Sequence, residues 1–450
     1  MNYSQVTRKS SGVNWIGEIP NHWKVGRLKK GVSLIINGVW GNEPNEDGND
    51  IYCVRVADYN RVNMSINESN LTNRSIELKD RVLRILEHGD LLIERSGGGE
   101  RQPVGFVVRF TGDYQAVFTN FMSRLKMSPY ADSNYLKYIF KAMYDSRSNT
   151  KSIKQTTGIQ NLDLESYLNE SIPYPPIDEQ VTIAGFLDKE TSKIDTLIDK
   201  KQRMIELLQE KRKALITDAV TKGLDPSVPM KDSGIPWLGE VPVHWGIKKI
   251  KHLSPFVSRG ISPMYTEESK FPIINQSCIR WDGIVLESVK FSANDKPEQL
   301  KGYLHHLDVL MNSTGTGTLG RVALIEQPKN IIADSHVTII RSNKKLLNPY
   351  FLKYLLSTQT YQGFIYSYAV TGATNQIELS REKLREVPLY IPLLEEQERI
   401  VTSVLRQEQN INKVIKKIKS QITKLQEYRQ ALITAAVTGK IDIREKKISS

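Results

Sequence analysis

The sequence predicts an α+β fold: two tandem, pseudo-symmetric α/β domains separated by two long helices that form an antiparallel coiled coil. Three observations predict it. The chain is written twice, each copy opens with short β-branched runs between turn residues, and each closes in a long, nearly breaker-free stretch with an apolar stripe.

The repeat comes first because it fixes the boundaries. Residues 11–23 read SGVNWIGEIPNHW and return at 233–245 as SGIPWLGEVPVHW; ALITDAVT at 214–221 returns as ALITAAVT at 431–438. Fainter echoes keep the same order between these anchors. His88-Gly-Asp90 matches His306-Leu-Asp308, Leu136-Lys-Tyr138 matches Leu352-Lys-Tyr354, and Glu179-Gln180 matches Glu396-Gln397. One repetition of a unit of about 220 residues is a duplication, since a solenoid has shorter and more numerous periods. The divisions that follow are a first domain at 11–177, a first helix at 178–222, a linker at 223–232, a second domain at 233–394 and a second helix at 395–438.

Within the domains, Ile51-Tyr-Cys-Val-Arg-Val56, Gly105–Phe110, Phe271–Ile274 and His336–Arg341 read as strands bounded by Gly, Asn, Asp or Pro. Helices are expected at Ser133–Met143 and Pro349–Ser357. The segments Ile172-Pro-Tyr-Pro-Pro-Ile177 and Val387-Pro-Leu-Tyr-Ile-Pro-Leu393 are extended and end each domain.

The two long stretches lack proline, and the only glycine in them is Gly185. In the distal one Ile411, Val414, Ile418, Leu425, Tyr428 and Leu432 step by three and four, with Gln421 as a polar position. In the proximal one Leu187, Ile194, Leu197, Met204, Leu208 and Leu215 keep similar phase, with Lys201 as an interruption. Some 43 residues in a helix span roughly 65 Å, and one apolar stripe of that length has its simplest partner in the other copy. Antiparallel pairing suits the order domain, helix, domain, helix.

Composition narrows the function. The 450 residues carry 62 Lys and Arg against 50 Asp and Glu, a net +12 with pI near 9.3, a surplus that favours a polyanionic partner. With 39% apolar and 25% charged residues the chain builds cores and is neither disordered nor collagen-like. Met1–Gly12 has no apolar run, so no secretory signal is expected, and no stretch approaches a membrane span. Two cysteines, Cys53 and Cys278, exclude a disulfide scaffold and point to a reducing cytoplasm.

Catalytic signatures are missing. Gly97-Gly98-Gly99 lacks the spacing of a dinucleotide loop, and Gly439-Lys440 lacks the upstream glycine of a phosphate loop. An adenine methyltransferase turn needs Asn or Asp before Pro-Pro and an aromatic after it, whereas Tyr174-Pro-Pro-Ile177 has the wrong residue on both sides. Asp90 and Glu94-x-Ser96 evoke a metal-dependent nuclease only weakly, because the second copy replaces the second acid with Asn312. No metal site is expected: His22 and His244 sit in the tryptophan motif and are expected to bond within it, and the adjacent His305 and His306 point apart.

The Trp15-Ile-Gly-Glu-Ile-Pro-x-His-Trp23 opening, its echo Trp237–Trp245, the Pro-x-x-Glu-Gln start of each long helix, and the ALITxAVT endings followed by Gly439-Lys-Ile-Asp442 and Gly223-Leu-Asp225 form an ordered set. In these residues, over essentially the whole chain, the sequence resembles the specificity subunit of a type I restriction-modification system. The resemblance implies two target recognition domains, each reading one half of a split, asymmetric DNA sequence, with the helices spacing them and docking two methyltransferase subunits. It implies no catalytic residue and no cofactor on this chain. S-adenosylmethionine belongs to the methyltransferase partner, and ATP and Mg to a restriction and translocase partner.

Two loops per domain then have the chemistry to touch double-stranded DNA. The glycine-rich ones are Glu94–Gln102, with Arg95, Ser96, Arg101 and Gln102, and Asn312–Arg321, with Asn312, Thr314, Thr316 and Arg321. Small residues let the backbone approach phosphates, while arginine suits guanine. The others are 151–161, with Lys151, Lys154, Gln155, Gln160 and Asn161, and 371–376, with Asn375 and Gln376; Asn and Gln suit the adenine edge. Arg259 and Arg280 join them, followed by Trp40, Arg55, Asp58, Gln276 and Trp281. Lys413, Lys416, Lys417, Lys419 and Lys424 either track phosphates or coat a solvated helix. The competing readings are a self-contained DNA methyltransferase or nuclease, and a coiled-coil scaffold with two protein-binding domains.

Overall fold

The computed structural model describes residues 7–443 except 47, 157, 268–270, 294–295 and 373–376. The chain divides into two units, Met1–Gln202 with Ile418–Ser450, and Arg203–Lys417. Each is therefore built from one sequence domain, the start of one long helix and the end of the other.

Both units carry the same two sheets. In the first unit a four-stranded antiparallel sheet runs Val107–Arg109, Leu91–Glu94, Met122–Met127, Val32–Asn37; in the second it runs Val322–Ile325, Asp308–Asn312, Val337–Arg341, Phe256–Arg259. The strands Leu91–Glu94 and Asp308–Asn312 are buried along their whole length, which is why they read as unbroken apolar runs rather than alternating ones. A second sheet, three-stranded in the first unit and four-stranded in the second, holds one parallel pair, Asp50–Val54 with Ala116–Phe118 in the first and Pro272–Ile274 with Ile332–Ala333 in the second. The expected helices form at Ser133–Asp145 and Pro349–Ser357, capped by Asp132 and Asn348. Among the described residues a further helix, Gln359–Ala369, follows only in the second unit.

The aspartate that heads each central strand serves the fold. Asp90 accepts from the Glu87 amide at 2.7 Å and Asp308 from the His305 amide at 2.7 Å; Arg124 and Arg341 neutralise them, each at 2.7 Å. Burial pushes the Asp90 carboxyl up, against the Glu87 amide and Arg124, which pull it down.

The long helices are Ile177–Lys222 and Leu394–Val437, and the motif at their starts fastens them to the domains. In the first unit Glu179 accepts from Trp23 Nε1 at 2.9 Å and meets His22 Nε2 at 2.7 Å; in the second, Glu396 accepts from Trp245 Nε1 at 3.3 Å and meets His244 Nε2 at 2.8 Å. The histidines thus bond to the helix start rather than within their own motif, because the glutamate supplies an acceptor that the motif lacks. The neighbouring glutamines are fully used. The Gln180 side chain accepts from the Asp132 amide and donates to Tyr130 and Pro175 carbonyls; that of Gln397 accepts from the Asn348 amide and donates to Leu346 and Pro392 carbonyls. The tryptophan also receives the end of the other helix: Gly439 packs on Trp23 and Pro20, and Gly223 lies beside Trp245.

The helices run antiparallel. Asp195 pairs with Arg429 at 2.9 Å and Lys201 donates to Gln421 at 2.8 Å in the first unit, and Arg212 donates to Asn412 at 3.1 Å in the second. The seam differs from the expected one. Leu187, Ile194, Ile418 and Leu432 are buried, and Leu208, Leu215, Ile411 and Leu425 are half-buried. Leu197, Met204, Val414 and Tyr428 are exposed, Met204 at 53% and Tyr428 at 58%; burial passes instead to Ile205, Ile415 and Arg429, with Ile198 half-buried. At three of these places the sequence offers an apolar residue at both of two adjacent positions, and a straight helix drifts about 20° per heptad from a strict seven-residue repeat. At three of the four places isoleucine takes the inner position, and at the fourth Arg429 does, neutralised by Asp195.

The repeated Lys-Tyr pair has a partner on each long helix. Asp188 accepts from Tyr138 at 2.7 Å, from Lys137 at 3.1 Å and from Asn134, while Tyr354 donates to Glu408. Burial pushes the Asp188 carboxyl up, but Lys137, Tyr138 and Asn134 pull it down further, leaving it below the usual carboxylate range. A depressed folded value gives stability that is present above the unfolded pKa and lost as pH falls through the folded one. Asp188→Asn is therefore expected to lower the neutral-pH unfolding midpoint of the first unit and to flatten its decline toward acid. An unchanged acid limb in denaturant titrations would refute this role.

Candidate nucleic-acid interface

The two loops singled out separately in the first domain are strands of one sheet. Ser96–Gly97 pairs with Ile159–Leu162, which pairs with Ile153–Thr156, all antiparallel. Ser96, Asn161 and Lys154 oppose one another across the three strands and share one face. Ser96 Oγ donates to Asn161 Oδ1 at 2.7 Å, and Lys154 pairs with Asp163 at 2.8 Å, which raises the lysine pKa and lowers that of the aspartate. The second unit builds the same row with less regular pairing: Thr314 bridges to Glu378, and Glu378 opposes Thr371 in the hairpin of Val370–Thr371 and Glu378–Leu379.

The structure sorts the candidates. Asn161, Lys151, Lys154, Gln155, Arg101, Gln102, Thr316 and Arg280 are exposed. Ser96 and Thr314 are half-buried on the shared row, Thr314 held by His336 Nδ1 at 2.8 Å and Gln276 at 3.1 Å. Gln160 is buried and accepts from the Val104 amide; Asn312 is fully buried and donates to the Gln276 carbonyl at 3.0 Å. These two side chains satisfy backbone groups in their loops, so neither presents an edge to a base. Arg95 donates to Asn37 at 2.5 Å, and Arg321 to the Gly317 carbonyl at 3.1 Å, each half-buried and bracing its own loop. Arg259 pairs with Glu378 at 2.6 Å and donates to the Leu379 carbonyl at 2.8 Å. Asn375 and Gln376 lie outside the described residues.

Among the weaker candidates, Arg55 and Asp58 pair with each other at 2.8 Å, and Trp40 carries the Arg74 guanidinium over its ring at 3.8 Å, whereas Trp281 is exposed. Glu378 was not a sequence candidate; only its register opposite Thr371 brings it onto the row. The five lysines from Lys413 to Lys424 are all exposed.

Each ribbon borders an open concavity. In the first unit it is about 870 Å³, lined among others by Arg61, Glu94, Arg101 and Gln102; in the second about 420 Å³, lined by Arg259, Lys301, Glu378 and Arg381 among others. Glu94, once a nuclease candidate, is buried and paired with Arg61 at 2.7 Å. Among the described residues no group of three or more His, Cys, Asp or Glu side chains gathers as a metal site would, and no helix is long and apolar enough to cross a membrane.

A duplicated α/β unit bearing a polar ribbon, joined to paired long helices, defines the class. The chain belongs to the type I restriction modification DNA specificity domain family, whose model matches residues 20–207 and 242–424. It is 25% identical over 441 residues to the type I restriction enzyme MjaVIII specificity subunit of Methanocaldococcus jannaschii, covering 95% of this chain and 94% of that one. It is 20% identical over 354 residues to the EcoBI specificity subunit of Escherichia coli, covering 75% and 74%. The fold is shared with a chain from a structural study of complex assembly and conformational transition of the type I R-M system, at TM-score 0.66 and 15% identity, covering 94% of this chain and 99% of that one. The HsdS subunit from Thermoanaerobacter tengcongensis matches at TM-score 0.53 and 15% identity, covering 94% and 98%.

Proposed function

We propose that this chain is the sequence-reading subunit of a type I restriction-modification complex, that it recognises a bipartite, asymmetric DNA target with one half-site per unit, and that the chemistry is done by partner chains. The observation that carries this reading is the ribbon: one frame in both units, with different side chains on its exposed row. A duplicated frame with diverged contacts is what two unlike half-sites require. Methyltransferase subunits that bring S-adenosylmethionine are the expected partners, two by the pseudo-symmetry, with a restriction subunit using ATP and Mg beside them, in the cytoplasm. The apolar side chains that leave the helical seam, Leu197 and Tyr428 in the first unit and Met204 and Val414 in the second, are the positions we assign to the methyltransferases.

The test is a domain exchange. Residues 11–175 are replaced by the corresponding segment of a relative with a different target, and methylated adenines are mapped across host DNA. Half of the modified motif is expected to change while the other half persists. A motif that changes throughout, or methyl-donor binding by the purified chain alone, would overturn the reading. Binding by the complex should also weaken steeply with salt, as phosphate contacts demand; a scaffold of protein-binding domains would show neither salt dependence nor sequence preference.

A further inference from the structure

The two units keep the residues that hold the frame and differ along the row, in the middle and at the last position; only the first position keeps a hydroxyl in both. Trp23 and Trp245, Gln180 and Gln397, and Asp90 and Asp308 recur in equivalent contacts. The row reads Ser96, Asn161, Lys154 in one unit and Thr314, Glu378, Thr371 in the other. In both, a neighbour fixes one oxygen of the middle side chain. Ser96 Oγ donates to Asn161 Oδ1, and Arg259 Nη2 lies 2.6 Å from Glu378 Oε1.

We infer that Asn161 and Glu378 are specificity-determining residues, Asn161 selecting adenine in one half-site and Glu378 selecting cytosine in the other. The inference rests on the DNA-recognition reading. With the serine hydroxyl on one lone pair, Asn161 Oδ1 keeps its second lone pair for the adenine N6 amino group, and Nδ2 donates to N7. That is the bidentate pairing an asparagine makes in the major groove, which admits a β-ribbon. A carboxylate has no donor, so it cannot satisfy N7. Held by Arg259 at Oε1, Glu378 offers Oε2 to an amino group, and the cytosine N4 group is the partner that asks for nothing more. Guanine O6 and thymine O4 would face it acceptor to acceptor.

The experiment uses the full chain in complex with its methyltransferase partner, selecting from duplexes with randomised half-sites followed by sequencing. Asn161→Ala is expected to lose adenine preference at one position by roughly tenfold to 100-fold, as for one bidentate contact, with the second half-site unchanged. Asn161→Glu should turn that position to cytosine, and Glu378→Gln should turn the corresponding position of the other half-site to adenine. Unchanged preferences in the variants overturn the assignment. Flattening of the whole half-site overturns it too, because it marks a residue that merely supports the ribbon. A wild-type complex with no split preference at all overturns the DNA-recognition reading instead.

Discussion

Gln180→Leu is expected to destabilise the first unit by about 3–6 kcal/mol and Gln397→Leu the second by a similar amount, since each leaves an amide and two carbonyls without partners at about 1–3 kcal/mol per buried group, the two part-buried bonds of each set counting at the low end. Both glutamines are almost fully buried, at 1% and 0% exposure, and so are their bonds to the Pro175 and Pro392 carbonyls, which water cannot replace. Gln180 ties three separate places together: the Asp132 cap of the helix Ser133–Asp145, the Tyr130 turn before it and the Pro175 exit from the domain. Leucine fills the volume and satisfies none of them. A loss of this size is a large part of the 5–15 kcal/mol typical of a domain. The measurement is hydrogen exchange resolved by unit: each variant should raise exchange throughout its own unit, and a change below about 1 kcal/mol would mean that the backbone finds other partners.

The sequence made the repeat, the long helices and several of the strands legible because those features are local or periodic. Val337–Arg341 and Pro349–Ser357 form within a residue of where they were expected. Contacts set by distant pairing were not legible. The Ser96 and Lys154 segments carry turn and polar signals that say nothing of their common neighbour, Asn161, which lies between them in register. Gln160 and Asn312 look like readers in a polar loop, yet the backbone beside them needs bonds and takes theirs. Arg429 was passed over for the helical seam because an arginine reads as outward. It is buried since Asp195 neutralises it and the Val62 carbonyl accepts from it at 2.7 Å. The role of Glu179 and Gln180 as fasteners is visible in the sequence only as a recurring pair of letters, without a partner to explain it.

A second large effect is expected at two glycines that no motif flags. Gly38 follows the strand Val32–Asn37 and Gly260 follows Phe256–Arg259, where each chain crosses from the four-stranded sheet to the end of the parallel pair. A Cβ on Gly38 would lie 2.0 Å from the Thr119 carbonyl oxygen and 2.3 Å from that of Phe118; on Gly260 it would lie 2.1 Å from the Ala333 oxygen and 2.4 Å from that of Asp334. Those atoms are backbone, and the next residue in each case already donates to one of them, Val39 to Phe118 at 2.8 Å and Ile261 to Ala333 at 3.1 Å. Relief therefore requires the two sheets to part rather than a side chain to rotate. Gly38→Ala and Gly260→Ala should each cost about 3 kcal/mol or more, at the upper end of overpacking effects. Gly99→Ala, with nothing within 4 Å of the added carbon, should stay within about 0.5 kcal/mol. Thermal unfolding of the three variants separates the cases. In the assembled complex Gly38→Ala should erase sequence preference in one half-site while Gly99→Ala retains it, because Gly38 presses on the segment 118–122, whose Phe121 carbonyl accepts from the Ser96 amide at 3.2 Å. Equal stability of Gly38→Ala and wild type would show that the close approach of the two sheets is not what holds the unit together.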